Sequence, residues 1–301
     1  MSNFPISYKN GNCIVTLQED GTKIREWPDG EMPTPCVPES IDLKITNSCD
    51  LGCPWCHESS IKNDAHAKTQ HIRQIVNGLP PGVELALGGG NLFEHPYLEH
   101  IVCYLSMKYI VNLTVNAAHL RERTQINEMD LRALVYFGTI HGIGVSYDQR
   151  YERDILELDL PNVVIHLIVG VHSPCLAVKL LGMGKKVLVL GYKRYGRGAS
   201  YRIDDELICE WSAYVPRLIT EGSGTIAFDT LALQQLHVRK RLTERTWNSL
   251  YMGDDGQFTM YIDAVKMEFA ASSTSRRVPL PPGMTAIQAF RQLHKVDDGG
   301  G

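Results

Sequence analysis

The sequence has 301 residues, 44% of them hydrophobic and 21% charged, with a formal net charge of -4. Such a length suits one large α/β unit with small appendages, the composition is that of an ordinary globular chain, and the acidic balance argues against wholesale attraction to nucleic acid. No run approaches the roughly eighteen apolar residues of a membrane helix, and the opening MSNFPISYKNGN lacks the basic then apolar order of a secretory signal, so a cytoplasmic location is expected.

Residues 1–38 read as a β-rich preface. The turn signals NGN and EDGT bracket CIVTL and KIREW, whose alternation suits short antiparallel strands, and the prolines of PDGEMPTPCVPES mark a linker. From residue 39 the pattern changes to strands alternating with amphipathic helices. Ile41, Leu43 and Ile45 alternate as a strand that runs into a cysteine-bearing loop, and Ile72, Ile75, Val76 and Leu79 then recur at helical spacing. Further strands follow at 83–87, 110–115, 143–145, 163–171, 187–190 and 225–228, with helices between them, one of them at 174–182. Six to seven parallel strands with right-handed crossovers are therefore predicted over 39–235.

The fold class is α/β, and periodicity alone leaves a full barrel, a partial (β/α) barrel and an open doubly wound sheet as alternatives. Each places function at the C-terminal ends of the strands. The remaining segment, 236–301, is predicted to hold a hairpin over YMGDDGQFTMYIDAV with its turn at DDG, a short helix over TAIQAFRQLH, and a disordered tail. The basic run His237 to Arg245 reads as the solvated face of a helix.

Of eight cysteines, Cys49, Cys53 and Cys56 are clustered directly after the first strand of the alternating region, and the other five are scattered. This is unlike a paired disulfide framework, and in a reducing compartment the cluster reads as metal-binding. Three thiolates on such short arcs can each reach a different iron of an iron-sulfur cube. The other reading is zinc, with His57 or a distant cysteine as fourth ligand, although adjacent Cys56 and His57 are awkward partners on one tetrahedral ion.

The motif CxxxCxxC, with Trp55 before the last cysteine, resembles the signature of the radical S-adenosylmethionine (radical SAM) enzymes, and the resemblance spans roughly residues 41–200. It implies a full or partial βα barrel in which the three cysteines hold a 4Fe-4S cluster whose open iron is chelated by S-adenosylmethionine. It further implies cleavage of that compound to a 5'-deoxyadenosyl radical, hydrogen abstraction from a substrate, and an electron donor of the flavodoxin or ferredoxin type.

By the same resemblance Gly89, Gly90 and Asn91 in ALGGGNLF match the element that receives the methionine amino group, with Asn91 standing where the family has glutamate. Asn116, His119, Ser146, Tyr147 and Asp148, at the ends of the third and fourth strands, would converge above the cluster in a barrel; the resemblance implies that the fourth strand end meets ribose and carboxylate, which points to Ser146, and Asp148 could equally cap a helix. Val169 and Val171 are the counterparts of the apolar adenine contact, and Gly191 and Tyr192 of the backbone groups at the adenine edge. Cys175 is either a hydrogen donor to a substrate radical or a packed thiol at a helix start. Lys193 and Arg197 could steady a carboxylate or phosphate. No cysteine follows Cys209, so one cluster per chain is expected. The substrate is read as a peptide or a nucleotide or nucleic-acid base. The contrasting function is a non-catalytic iron-sulfur or zinc module that braces a loop or senses redox state.

Overall fold

The computed structural model describes residues 4–122, 125–126, 129–220 and 224–297. Three short antiparallel strands come first: β1 (Ile6–Asn10), β2 (Cys13–Leu17) and β3 (Lys23–Glu26). Their inward residues Cys13, Val15 and Leu17 are fully buried. Asn10 ends β1 with its side chain accepting from the amides of Cys36 and Val37 (2.9 and 3.0 Å) and donating to the Val37 carbonyl (3.0 Å), which moors this sheet to the proline-rich linker. Gly11, at φ +64°, lies so close to the Thr34 carbonyl that a Cβ would sit 1.7 Å from its oxygen, so only glycine fits the turn.

The second sheet is built by the alternating region. Its strands are β4 (Ser40–Thr46), β5 (Glu84–Gly89), β6 (Ile110–Asn116), β9 (Gly142–Ser146), β10 (Val163–Ile168), β11 (Lys186–Leu190) and β12 (Ile226–Phe228), all paired in parallel, with the two-residue strands β7 (Gln125–Ile126) and β8 (Met129–Asp130) forming a separate pair. Between them run α1 (Thr69–Val76), α2 (Leu98–Ser106), α3 (Ala117–Glu122), α4 (Leu131–Tyr136), α5 (Glu152–Leu156), α6 (Pro174–Gly182) and α7 (Asp205–Thr220). After α8 (Thr230–Gln235) and α9 (Glu244–Leu250) the chain crosses back to the first strand, where β13 (Thr259–Asp263) pairs parallel with β4 and is followed by antiparallel β14 (Glu268–Ala270) and β15 (Val278–Pro279); α10 (Ala286–Asp297) comes last. The glycine-rich tail from residue 298 lies outside the described residues.

Residues alternate across this sheet. One face, with Ile41, Leu43, Leu85, Leu87, Val111, Leu113, Ile143, Val145, Ile165 and Leu167, is packed under the helices as a continuous apolar core. The other face carries Asp42, Lys44, Thr46, Asn112, Thr114, Asn116, Gly144, Ser146 and His166. A doubly wound sheet would have apolar residues on both faces. Polar residues on one face mean that the sheet curls around a lumen. Its described strands end at β12 on one side and β15 on the other, so the result is a partial barrel.

The hairpin is displaced from the predicted place. Residues 254–256 do turn, with the Gln257 amide donating to the Asp254 carbonyl (3.1 Å), but the preceding residues find no strand partner, and the Met252 carbonyl accepts from Arg25 (2.9 Å). The true turn spans 264–267 and lacks the usual glycine or asparagine signal. Asp263 supplies the turn chemistry instead, accepting from the amides of Val265 and Lys266 (3.0 and 2.9 Å), while Met267 takes φ +55°. The basic run likewise breaks into a 3-10 turn at Val238–Arg241 and a helix capped by Thr243.

Because β13 is an inner strand of the sheet, Ile262, which is fully buried, is part of the main core. Ile262→Ala should destabilise the protein by about 2–5 kcal/mol in urea unfolding, whereas Ile14→Ala on the exposed face of β2 should change stability by less than about 0.5 kcal/mol.

Candidate functional site

The loop that carries Cys49, Cys53 and Cys56 leaves the C-terminal end of β4 and returns to it. At its base the Asn47 amide donates to the Ala65 carbonyl (2.9 Å), the Cys49 amide to Ile61 (3.0 Å), and the Ala67 amide to Ile45 (2.8 Å). The loop is thereby closed like a purse, with the thiols on its arc. Within the arc Gly52 takes φ +60°, and the Cys56 amide donates to the Cys53 carbonyl (3.2 Å). Burial raises the Cys49 and Cys53 thiols; the other cysteines add to the rise, and backbone amides oppose it. The thiols are thus near enough to repel as thiolates, which a bound cation would relieve.

Two other strand ends hold this loop. The segment after β11 lies across it: Arg197 donates to the carbonyls of Cys53 and Ser60 (both 2.9 Å), and the Gly198 amide donates to Cys56 (3.3 Å). Trp55 meets Tyr201 edge to face at 5.6 Å. Arg197 is therefore spent on the loop's backbone rather than offered to a carboxylate or phosphate. From below, Glu58 ties the loop to the lumen. It pairs with Lys44 (2.5 Å) and Arg277 (2.9 Å) and accepts from the Tyr261 hydroxyl (3.0 Å), while Asp263 pairs with the same Lys44 and Arg277 (both 3.1 Å). Burial would raise the Glu58 carboxyl, but Lys44, His57 and the bonds from Lys44 and Arg277 outweigh it and hold it at about 2. Burial, with Lys193 adding to it, pushes His57 down to about 3, so the ring is neutral.

The residues at the other strand ends fall into three groups. Gly89, Gly90 and Asn91 lie against the strand entering the cysteine loop: Gly90 donates to Thr46 (2.9 Å) and Asn91 to Ser48 (2.6 Å), and a Cβ at Gly89 or Gly90 would sit 2.2 or 2.1 Å from those carbonyl oxygens. The backbone of this element is therefore beside the loop, but the Asn91 side chain turns away, buried, and caps the next turn by accepting from Phe93 (3.1 Å). Glu94, three residues on, bonds the Ser48 hydroxyl.

Asn116 and Ser146 are register partners on the lumen face, with Asn116 also capping α3 through Ala118 (2.9 Å). His119, buried, binds Asp50 beside the first cysteine (2.9 Å). Tyr147 donates to Glu152 (2.9 Å), and Asp148 does serve as a cap, accepting from the Arg150 amide (3.0 Å).

The third group is not presented to the lumen as expected. Val169 is fully buried in the core beneath the helices, because the period of two gives the lumen face of β10 to His166 and Ile168; Val171 follows in the turn beyond it, half-buried. The Gly191 amide is taken by Asp229 (2.8 Å), and the Tyr192 amide and carbonyl by the Gln235 side chain (both 2.8 Å), so these backbone groups are already paired. Cys175 is exposed on α6 with its thiol on the Tyr214 hydroxyl of α7 (3.5 Å), in the helical layer. The Lys44, Glu58, Tyr261, Asp263 and Arg277 set was missed from sequence; the polar alternation of Asp42, Lys44 and Thr46 along β4 was the available signal.

The thiol geometry bears on which metal the loop fits. Among the described residues, the His, Cys, Asp and Glu ligand atoms that gather within 4.8 Å of one another are those of Cys49, Asp50 and His119; the three thiols do not converge so closely, with or without His57. A single tetrahedral zinc needs its ligands gathered at bonding distance around one point. A cube that gives each sulfur its own iron needs them farther apart than that, which thiols not gathered around one point allow.

No protein-family model matches the sequence, and no curated protein does. Three crystal structures of Streptococcus suis SuiB resemble the structure, each with a TM-score of 0.56. With SuiB bound to S-adenosylmethionine the identity is 14% over 86% of this chain and 64% of the other. With SuiB bound to the precursor peptide SuiA it is 15% over 79% and 60%, and with SuiB alone 12% over 90% and 82%. The fold is thus shared with SuiB, and this chain spans less than two thirds of the length of the first two. Among the described residues no helix is long and apolar enough to cross a membrane.

The charge network gives the site's first test. Lys44→Ala removes the buried cation shared by Glu58 and Asp263 and should cost about 3–5 kcal/mol, measured by denaturant unfolding of the protein without metal; a loss below about 1 kcal/mol would show that the network does not hold the loop.

Proposed function

We propose that this chain is a radical SAM enzyme acting on a peptide. The observation that carries the reading is the cysteine loop itself: three spread thiols at the C-terminal mouth of the first parallel strand, sealed at the base and flanked by the glycine backbone of the second strand. A site at that end of a βα barrel is where such folds place chemistry. When bound, a 4Fe-4S cluster held by Cys49, Cys53 and Cys56 would supply one electron to S-adenosylmethionine and so release a 5'-deoxyadenosyl radical for hydrogen abstraction.

The chain's own contribution is holding and orienting. Arg197 and Gly198 fix the loop's carbonyls, and Glu58 fixes its exit. The backbone at Gly89 and Gly90 offers close approach for the amino group of the cosubstrate, and the adjacent Asn116 and Ser146 offer hydroxyl and amide groups on the lumen face. Ile168, at the lumen-facing end of β10, replaces Val169 as the apolar residue for the adenine. The peptide assignment is supported by the likeness to SuiB, whose structure with a precursor peptide shares this fold. The electron would come from a flavodoxin or ferredoxin.

Anaerobic reconstitution tests the reading. We expect about four irons per chain, a brown chromophore, and 5'-deoxyadenosine after dithionite and S-adenosylmethionine are added, with both colour and nucleoside lost in Cys53→Ala. A colourless chain holding one zinc, or full nucleoside formation in the variant, would overturn it.

A further inference from the structure

Between the β12 edge of the sheet and the β13 side the barrel leaves a gap, and a cavity of about 830 Å³ fills it, running from the inner ends of β3 and β4 to Lys193. Its top is strapped by two hydrogen bonds, Lys193 to Ser273 and Tyr195 to the Thr274 carbonyl (both 2.8 Å). One wall is aromatic, with Trp247 stacked on Tyr251 at 4.4 Å. The lining carboxylates divide into two kinds. Glu84 is paired with Lys23, and Asp254 is bound to the Tyr251 hydroxyl. Asp42, on the lumen face of β4, faces the cavity with no hydrogen bond or ion pair from any described residue, and Asp255 at the rim has none either. Asp42 is open to the cavity, but the protein mass around it raises its carboxyl; Lys193 opposes this, and Asp229 and Asp255 add to it.

A second unpartnered group points into the lumen. The His166 ring, nine-tenths buried, covers Gly144 on the lumen face, so close that a Cβ there would sit 2.4 Å from it, and its Nδ1 has no partner. Burial pushes it down to about 4, so it is a neutral ring with an unused hydrogen-bonding nitrogen. Lys193, which lines the cavity, is the charge felt by both Asp42 and His166, which places the two in one electrostatic neighbourhood. Asp42 is open to the cavity, and an unpaired charge on the wall of such a space is a group that a ligand completes; His166 lies behind that wall, outside the residues that line it.

We propose that this gap cavity is the substrate's side-chain site and selects a primary ammonium or guanidinium on an apolar stem, with Asp42 and Asp255 as counter-charges and Trp247 and Tyr251 as the wall for the stem. Carboxylate and aromatic face together are the arrangement that favours a cation over a neutral isostere. The inference deepens the proposed function by naming the class of peptide residue taken, a lysine or arginine, and it rests on that reading for the identification with substrate.

The test is a titration of the full-length protein, reconstituted and not, followed by tryptophan fluorescence with Trp247→Phe as the control for the reporter. The probes are Nα-acetyl-lysinamide, Nα-acetyl-argininamide, the uncharged Nα-acetyl-norleucinamide, and cadaverine. We expect one of the basic amides to bind about tenfold or more tightly than norleucinamide, with that advantage lost in Asp42→Asn and reduced in the rim variant Asp255→Asn. Tighter binding of cadaverine than of either amide would support the cation site and assign it to a free amine. Equal binding of the charged and uncharged amides, or unchanged affinity in both variants with native circular dichroism, would overturn the inference. Because the titration needs neither cluster nor S-adenosylmethionine, its failure and a failure to form 5'-deoxyadenosine are separate results.

Discussion

Four buried or nearly buried charges, Lys44, Glu58, Asp263 and Arg277, fix the geometry on which the site depends. They belong to four segments: β4, the cysteine loop, β13 and the approach to β15. Each ion costs several kcal/mol to take from water, and only close, complete pairing offsets that cost. The consequence is a narrow choice of arrangements. If the loop slid by one residue, Glu58 would lose both of its cations, and Lys44 and Arg277 would keep only Asp263 between them. The network is weak as a source of stability against an apolar alternative, but it is strong as a determinant of where the thiols sit. It also explains why β13 returns to pair with β4. From that strand the Tyr261 side chain reaches Glu58 of the loop and Asp263 reaches Lys44 and Arg277, while Met260 and Ile262, on the opposite face, extend the apolar core.

Above the network, close backbone approach does the rest. Gly89 and Gly90 press against the strand that enters the loop, and Gly196 presses against its exit, where a Cβ would sit 2.6 Å from the His57 carbonyl oxygen. Side chains would separate these segments by more than a hydrogen-bond length. The loop is thus held by glycine contacts on two sides and by charges underneath, which leaves its sulfurs as the adaptable part. Such a frame suits a cofactor that must be gripped by few ligands with one position left free.

The parallel units were legible because a buried strand and its crossover helix write their periods into the chain over many residues, as Ile41, Leu43 and Ile45 do before Ile72, Ile75 and Val76. The cysteine loop was legible from spacing. What escaped was whatever depends on a distant partner. Asp263 turning the hairpin, Gln235 occupying both peptide groups of Tyr192, and Arg197 reaching Cys53 across 144 positions leave no local trace. The placing of Val169 was a different matter, since counting by two from His166 already assigns it to the core.

The two ends of the lumen treat charge differently, and that difference shapes what can enter. At the inner end, β3 inserts Lys23 and Arg25, which pair with Glu39 and Glu84; Glu39 is fully buried and takes Arg25 at 2.8 Å, while Arg25 also lies 3.7 Å over the Phe258 ring. That end is neutralised and plugged, which gives the N-terminal sheet a part in shaping the barrel. At the gap, Asp42 and Asp255 have no such partners, and Lys193, the cation that acts on Asp42, is engaged by Ser273. A field that is cancelled at the floor and left negative at the side directs a positively charged group toward the gap, because approach from the floor gains nothing and approach from the gap gains a counter-charge.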